Sequence, residues 1–401
     1  MLARMSPKAL RLPALVMFCA CAALPVSAQT LQPSPTPLPA ATATPSPAPA
    51  ATPTPTPPYS LHGTFSLYSL HTNGVNAAGA LDEPSGVDLA DRTEVSNGLI
   101  TVTKNTSQLQ GGVTIGAYAL PVVGQAINPT TQQGANSSLY GYFPSVYLAY
   151  VPSAHLSVSA GQLATLLGQE DGFTFQNFTI QRGTVWAAEP TFSRGVRATY
   201  AQGKFTGDLE YNDGFYSGNA GRAVEGLAGW APSGATDLQI AFIAPGKNTP
   251  GNPTASIANK NEVDFMLTQS FGKLQLEPYV LFVNSPASGA LGYTSGESAV
   301  GAAFIANYAF NAMYSIALRC ESYTNNSTSK ATSPNADLVG YGPGSGAQTW
   351  TITPAYRSNL FFARAEFSSV RVSQYTPGLA FGNAGTGSTQ TRIVIETGAQ
   401  F

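Results

Sequence analysis

The sequence is short of charge and of cysteine. Lys, Arg, Asp and Glu make up 10% of its 401 residues and hydrophobic types 43%, whereas a soluble domain averages about 25% charged residues. Of three cysteines, Cys19 and Cys21 lie in an N-terminal leader, so only Cys320 remains in the body of the chain. A disulfide framework and a cysteine-based metal site within one chain are therefore excluded.

Histidine is equally scarce, which argues against an enzyme. His62, His71 and His155 are the three histidines, and no two of them have metal-ligand spacing. The Gly-x-Ser-x-Gly pattern of serine hydrolases is missing as well. We therefore expect no catalytic residue, no metal site and no cofactor.

The N-terminus has the pattern of a secretory signal peptide. Arg4, Lys8 and Arg11 precede an apolar stretch, 12–24, which is short for a membrane-spanning helix. Small residues ending at Ala28 predict cleavage there, so residues 1–28 form the signal. Without its three basic residues the chain carries 16 basic and 21 acidic residues, a net charge of −5. That balance predicts no nucleic-acid partner.

Residues 29–58 differ in composition from the rest of the chain. Eleven prolines fall between Pro33 and Pro58, without a charge or an aromatic ring. Proline lacks a backbone donor and favours the extended polyproline II form. We expect a disordered periplasmic linker, and leave open a ligand for the cell wall or a partner protein.

From Tyr59 onward, apolar and polar residues alternate with a period of two. This pattern predicts an all-β, transmembrane antiparallel up-and-down barrel over residues 59–401. The predicted strands are 59–70, 96–104, 109–120, 142–151, 154–162, 192–201, 203–213, 222–231, 236–245, 260–271, 273–283, 298–308, 311–322, 346–357, 359–371 and 389–401. The nearly continuous apolar run 300–318 is interpreted as a hairpin because Asn307 and Asn311 bracket a turn.

The connections between these strands alternate between short and long. Seven short turns and eight long loops join about sixteen strands. Short periplasmic turns with long outer loops are typical of barrels in the bacterial outer membrane. Outer-membrane lipid is therefore an expected partner and the bacterial outer membrane the expected location.

The last predicted strand, 389–401, has one apolar side and one polar side. Ile393, Ile395 and Phe401 lie on the apolar side, and Arg392 and Glu396 on the polar side. Such a strand fits a wall between lipid and water. The final aromatic residue predicts recognition of this strand by the barrel assembly machinery.

Charged residues on the polar sides of the strands are the candidates for lining the lumen. Charge on the lipid side would be costly, so these side chains should point inward. They are Arg197, Asp208, Glu210, Glu262, Asp264, Glu277, Arg319, Glu321, Arg364, Glu366, Arg392 and Glu396.

The region 148–245 resembles the OmpL-like family of outer-membrane β-barrel porins. The resemblance lies in Leu148-Ala-Tyr-Val151, Leu156-Ser-Val-Ser-Ala-Gly-Gln162, Gly168-Gln-Glu170, Phe192-Ser-Arg-Gly-Val-Arg-Ala-Thr-Tyr200 and Tyr211-Asn-Asp-Gly-Phe215. It implies an outer-membrane porin extending over residues 59–401. The chain departs from the pattern in its proline-rich lead and in Gln162, where a lysine is expected, which puts charge selectivity in doubt.

The long loop 163–191 carries the strongest functional signal. It contains Glu170, Asp171, Arg182 and Glu189 among several aromatic residues. Surface loops rarely hold so many aromatic rings, so we expect this loop to fold into the barrel and its four charged residues to form a constriction. The alternative is an outward loop with its own aromatic cluster.

Together these observations predict a porin through which small hydrophilic solutes diffuse passively. A solute-specific channel with an anion or sugar site, and a secreted or surface-exposed β-rich adhesin, are the alternatives. The absence of a fixed repeat counts against a β-helical adhesin. The sequence leaves open whether copies of the chain form a homo-oligomer.

Overall fold

The computed structural model describes residues 58–76, 90–127, 140–214, 222–245 and 260–401. The predicted signal peptide 1–28 and the linker 29–58, apart from Pro58, lie outside these residues. The strands are β1 Tyr59–Asn73, β2 Asp91–Lys104, β3 Leu109–Tyr118, β4 Ser145–Ser153, β5 Leu156–Ala164, β6 Phe192–Gln202, β7 Phe205–Asn212, β8 Ala223–Ser233, β9 Thr236–Pro245, β10 Asn261–Phe271, β11 Leu274–Ser285, β12 Glu297–Ala309, β13 Tyr314–Asn325, β14 Gly346–Arg357, β15 Phe361–Ser373 and β16 Thr389–Gln400.

These strands form a closed antiparallel barrel in which each pairs with its neighbours in the chain. β1 and β16 close it, with register from Thr64 opposite Gln400 to Asn73 opposite Thr391. The sixteen-stranded barrel predicted from the sequence is thus confirmed, and the run 300–318 is the β12–β13 hairpin. Closure leaves no unpaired sheet edge, as a lipid environment requires.

The connections alternate in length as predicted. Turns of two to four residues, such as 154–155 and 310–313, occupy one end of the barrel, here called the short-turn end. Longer connections occupy the opposite, long-loop end. The described helical turns are of the 3₁₀ type, at Thr174–Gln176, Trp186–Ala188 and Gly289–Leu291. Among the described residues, no helix has both the length and the apolar character needed to cross a membrane.

The two faces of the wall have different compositions. Outward positions expose large apolar side chains, among them Phe65, Leu209, Phe265, Phe361 and Ile395. Inward positions of β7, β10, β15 and β16 carry charged residues, among them Asp208, Asp264, Glu366 and Glu396. The predicted assignment of faces is therefore confirmed, because a lipid-facing surface must be uncharged.

The inward face itself changes along the strands. On β11, Gln275 and Glu277 near the short-turn end are partly exposed, whereas Leu281 and Val283 near the long-loop end are buried. Buried apolar residues from neighbouring strands and from inward segments extend this cluster. The long-loop half of the lumen therefore contains a hydrophobic core rather than a continuous polar lining.

Candidate functional site

The connection between β5 and β6, residues 165–191, lies inside the barrel. The Gly168 amide donates to Asp264 Oδ2 of β10 at 2.9 Å, and Thr184 donates its amide to Glu321 of β13 at 3.0 Å. Thr174 Oγ1 donates to Glu396 on β16 at 2.7 Å. These strands are far from β5 and β6 around the barrel, so the loop must cross the lumen. The predicted inward fold of this loop is confirmed.

The charged residues of the loop differ in their access to water. Glu170, Arg182 and Glu189 are buried, while Asp171 is exposed. Arg182 lies over the Trp186 ring, 5.2 Å from its centre, and its Nη2 donates to the Ala119 carbonyl at 3.3 Å. Three of the four predicted constriction residues thus belong to the interior of the loop.

Aromatic residues pack the base of the loop against the wall. Phe173 makes an edge contact with Tyr118 at 5.4 Å and a tilted contact with Phe192 at 5.7 Å. Trp186 Nε1 donates to the Glu170 carbonyl at 3.0 Å. The aromatic residues that distinguish this loop in the sequence serve its packing inside the barrel.

Arg319 of β13 connects the wall to the loop. Its Nη1 lies 2.6 Å from Glu170 Oε1 and also donates to Thr179 Oγ1 at 2.8 Å and the Gln181 carbonyl at 2.6 Å. Both partners of the ion pair are buried. A buried ion pair of this kind tolerates the loss of neither partner.

Burial shifts the pKa values of the loop's ionisable groups. Burial raises the pKa of Glu170, and the nearby Arg319 opposes that shift. Burial also raises the pKa of Glu189 well above its usual range, and the carboxylates of Asp264 and Glu262 raise it further. Both Glu189 carboxyl oxygens lack a hydrogen-bond partner among the described residues. Glu189 is therefore more stable in this site as a neutral carboxyl.

The predicted lumen residues all lie on the inward face, but most are covered. Arg197, Asp208 and Glu277 are partly exposed. The buried members are Glu210, Glu262, Asp264, Arg319, Glu321, Arg364, Glu366, Arg392 and Glu396. We expected these charged groups to face water. The inward segments and neighbouring side chains occupy that space instead, and amides and hydroxyls of the inward loop donate hydrogen bonds to several of the wall carboxylates.

A second inward segment, 119–127, was not recognised in the sequence. Val122 pairs with Arg182 in a parallel bridge, and Arg392 Nη1 donates to the Val122 carbonyl at 2.9 Å. Tyr341 donates its hydroxyl to the Gly124 carbonyl at 2.7 Å. The signal was present in the apolar run Ala119-Leu-Pro-Val-Val123, which is unusual for an exposed loop.

Glu225 of β8 was also missed. It accepts the Leu166 amide at 2.5 Å and the Thr165 hydroxyl at 2.7 Å. Asn212 Nδ2 of β7 donates to its other oxygen at 2.9 Å. Glu225 therefore fixes the start of the inward loop, and its inward parity on β8 was the available signal.

The histidines do not converge on one site. His62 and His71 lie on opposite faces of β1, where His71 Nδ1 is 2.7 Å from Asp91 Oδ1. His155 lies in the short turn between β4 and β5. Within the described ranges, no group of three or more His, Cys, Asp or Glu side chains has the geometry to hold a metal ion.

The whole barrel region matches one protein family. The family is described as "Putative beta-barrel porin-2, OmpL-like", and its model matches residues 59–401. The chain belongs to this family of porins. It is therefore a channel protein of the bacterial outer membrane, as the resemblance in the sequence implied.

Solved structures share the fold of this porin at low sequence identity. An anion-selective porin from Comamonas acidovorans is 12% identical with a TM-score of 0.56, covering 86% of this chain and 99% of its own. The outer-membrane channel DcaP of Acinetobacter baumannii is 12% identical with a TM-score of 0.55, covering 86% and 97%. A trimer form of OmpT from Vibrio cholerae is 12% identical with a TM-score of 0.53, covering 86% and 99%. No curated protein matches the sequence.

Proposed function

We propose that this porin passes small hydrophilic solutes by passive diffusion and that the inward loop 165–191 narrows its lumen. The observation that carries the proposal is the set of contacts from this loop to β10, β13 and β16 across the barrel. A sixteen-stranded barrel without such an obstruction leaves a wide aqueous channel. The loop is therefore the element that limits solute size.

The water-accessible charges of the lumen support a preference for cations. Asp171 on the loop is exposed and Asp208, Asp237 and Glu277 on the wall are partly exposed, whereas Arg197, which is paired with Glu210, and Arg357 are cations on the inward face. Charges that line a narrow aqueous path set its ion selectivity. Because Glu170, Arg182 and Glu189 are buried, we assign them to the support of the constriction and Asp171 to its surface.

Shortening the loop between Gly172 and Gly183 tests this function. The shortened porin should keep its heat-modifiable migration on a gel and show a higher single-channel conductance, because the obstruction is removed while the strands remain. Shortening the outer connection 286–296 is the control and should leave conductance unchanged. A correctly assembled, shortened loop variant that conducts like the parent would contradict the proposal.

A solute-specific channel is the second candidate, supported by the packed long-loop half of the lumen. Buried residues such as Ile243, Leu281 and Tyr323 occupy space that water would fill in an open pore. A narrow path favours a solute that fits it. A panel of solutes separates the two functions, because binding gives saturable flux and concentration-dependent current block, whereas diffusion gives flux proportional to concentration.

An oligomer through the face around β1 and β16 forms a further part of the proposal. A groove of about 520 Å³ on the barrel wall is lined mainly by apolar residues, including Phe65, Leu67, Phe361 and Ala363. OmpT from Vibrio cholerae, which shares the barrel fold, has been solved in a trimer form. Ala363→Trp should fill this groove and shift the porin to monomers in native gels.

We also propose that the barrel assembly machinery recognises the last strand of the porin. In the folded barrel, the Phe401 amide donates to the Gly63 carbonyl at 3.1 Å, and the Gly63 amide donates to the Phe401 carbonyl at 3.0 Å. Phe401→Ala should slow assembly in cells more than refolding in detergent if the aromatic ring is read by the machinery. Equal effects in both would assign the ring to barrel closure alone.

A further inference from the structure

The stretch Ile180–Val185 is held by hydrogen bonds to its backbone. Glu321 of β13 accepts the Thr184 amide at 3.0 Å through Oε2 and the Val185 amide at 3.1 Å through Oε1. One wall carboxylate therefore binds two consecutive amides of the loop. Carboxylate acceptors make stronger hydrogen bonds with amides than neutral acceptors do.

A second wall carboxylate binds the preceding part of the stretch. Glu366 of β15 accepts the amides of Ile180 and Gln181, the latter at 3.1 Å, and the Gln181 side-chain amide at 2.9 Å. Thr353 Oγ1 donates to the same carboxylate at 2.9 Å. Glu321 and Glu366 are both buried, so neither bond is weakened by competing bulk water.

The two remaining amides of this stretch are also occupied. Gly183 donates to Glu170 Oε2 at 2.8 Å, and Arg182 donates to the Pro121 carbonyl at 2.9 Å. All six amides from Ile180 to Val185 therefore have acceptors, and five of these amides donate to three carboxylates, those of Glu366, Glu170 and Glu321. This arrangement resembles a backbone anion site whose anions are supplied by the protein itself.

Gly183 gives the Glu321 carboxylate room to reach the loop. A Cβ atom placed on Gly183 would lie 1.8 Å from Glu321 Oε1 and 2.4 Å from its carboxyl carbon. Any side chain at this position would therefore displace the carboxylate from the amides of Thr184 and Val185. The need for glycine arises from the close approach of the wall side chain.

We propose that Glu321 and Glu366 are positioning residues of the porin, which set its conductance by fixing the stretch Ile180–Val185 inside the lumen. The proposal rests on the proposed function, in which this loop narrows the channel. It assigns the two carboxylates, previously candidates for pore lining, to a latch that acts through the loop backbone. The constriction then depends on wall residues that the permeating solute does not contact.

Single-channel recording of Glu321→Gln and Glu366→Gln provides the main test. Each substitution keeps the side-chain size but replaces one carboxylate oxygen with an NH₂ group. That group is a donor and would face a backbone N–H of the loop, which is also a donor. We expect visits to a larger conductance level to become about tenfold more frequent, because a buried amide loses its acceptor. The double variant should visit that level more often than either single variant.

Two further variants separate the latch from a general effect of charge. Glu277→Gln removes a lumen carboxylate whose side-chain partner is Gln275 of the same strand; it should alter ion selectivity but should not make visits to the larger conductance level more frequent. Gly183→Ala keeps every charge but obstructs Glu321, so it should reproduce the openings of Glu321→Gln. It also provides the test if Glu321→Gln fails to assemble into a heat-modifiable barrel.

The outcomes distinguish this inference from the function on which it rests. If the shortened loop raises conductance while Gly183→Ala and Glu366→Gln conduct like the parent, the loop narrows the channel but the latch is refuted. If the shortened loop also conducts like the parent, the proposed function itself fails. Extra openings in Gly183→Ala and Glu366→Gln, absent in Glu277→Gln, support the latch.

Discussion

The two halves of the lumen differ in chemistry although the same strands build both. At the short-turn end, inward residues such as Asp237, Gln239 and Glu277 are polar and partly exposed. At the long-loop end, Ile243 and Leu281 on the same strands are fully buried. An inward position on a barrel strand is therefore not equivalent to contact with water. Half of this lumen is packed like the interior of a soluble protein.

Among substitutions that test this difference between the halves, Arg319→Ala should have the largest effect on conductance and stability. Arg319→Ala leaves Glu170 and Glu321 buried without their cationic partner, which costs about 3–5 kcal/mol. The loop should leave the lumen, raising conductance, and the temperature at which the heat-modifiable band is lost should fall. Lys273→Ala is the matched control, since Lys273 is exposed in the short turn after β10 and its Nζ donates to the Phe310 carbonyl rather than to a buried carboxylate. Equal loss of stability in both variants would contradict the difference between the halves.

A charge on the outer face should have the next largest effect. Leu209→Lys places an ammonium group against lipid, at a cost of about 2–4 kcal/mol near the middle of the membrane. Thr206→Lys on the same strand is the control, because Thr206 is exposed on the inward face at the short-turn end. The yield of heat-modifiable barrel should fall for Leu209→Lys and remain close to the parent for Thr206→Lys. Similar yields would refute the assigned faces of β7.

A smaller effect is expected from pH, because the stability of the packed loop should depend on the protonation of Glu189. Burial raises the pKa of Glu189, and Asp264 and Glu262 raise it further, so the folded loop binds this proton more tightly than the unfolded loop does. The stability of the packed loop must therefore fall as pH rises from the ordinary glutamate range through the raised pKa. Channel openings of the parent should therefore increase as the pH is raised above the ordinary glutamate range.

Glu189→Gln is the matched test of that dependence. The amide cannot ionise, so the variant should resemble the parent at low pH and lose the increase in openings that the parent shows as the pH is raised. Recordings of both proteins over the same pH series provide the measurement. The same pH-dependent increase in Glu189→Gln as in the parent would assign the titration to another group.

Much of the fold could be predicted because strand alternation is a local property. Ile393, Ile395 and Glu396 reveal their faces from spacing alone, and the lengths of the connections supply the order of the strands. The loop 165–191 could be recognised from its aromatic residues. The wall positions were identified by the same local rule.

The environment of the site residues could not be predicted, because it depends on contacts between distant parts of the chain. Asp208 and Glu366 both appear in the sequence as inward carboxylates. Asp208 remains partly exposed, whereas Glu366 is buried against the amides of Ile180 and Gln181. Nothing in the spacing of either residue distinguishes these outcomes.

The smallest expected effect concerns ion selectivity and would sharpen the comparison between the halves. Glu277→Gln removes a partly exposed carboxylate near the short-turn end, and the reversal potential in a salt gradient should shift toward anions. The shift should shrink at high salt, because the screening length falls to about 3 Å at 1 M ionic strength.

Glu262→Gln is the control and removes a buried carboxylate from the long-loop half, 3.0 Å from Lys260 Nζ. Since permeating ions do not reach the Glu262 carboxylate, the reversal potential of Glu262→Gln should equal that of the parent. A larger shift in Glu262→Gln than in Glu277→Gln would mean that ions pass through the long-loop half beside β10, and that the core described there is open to water.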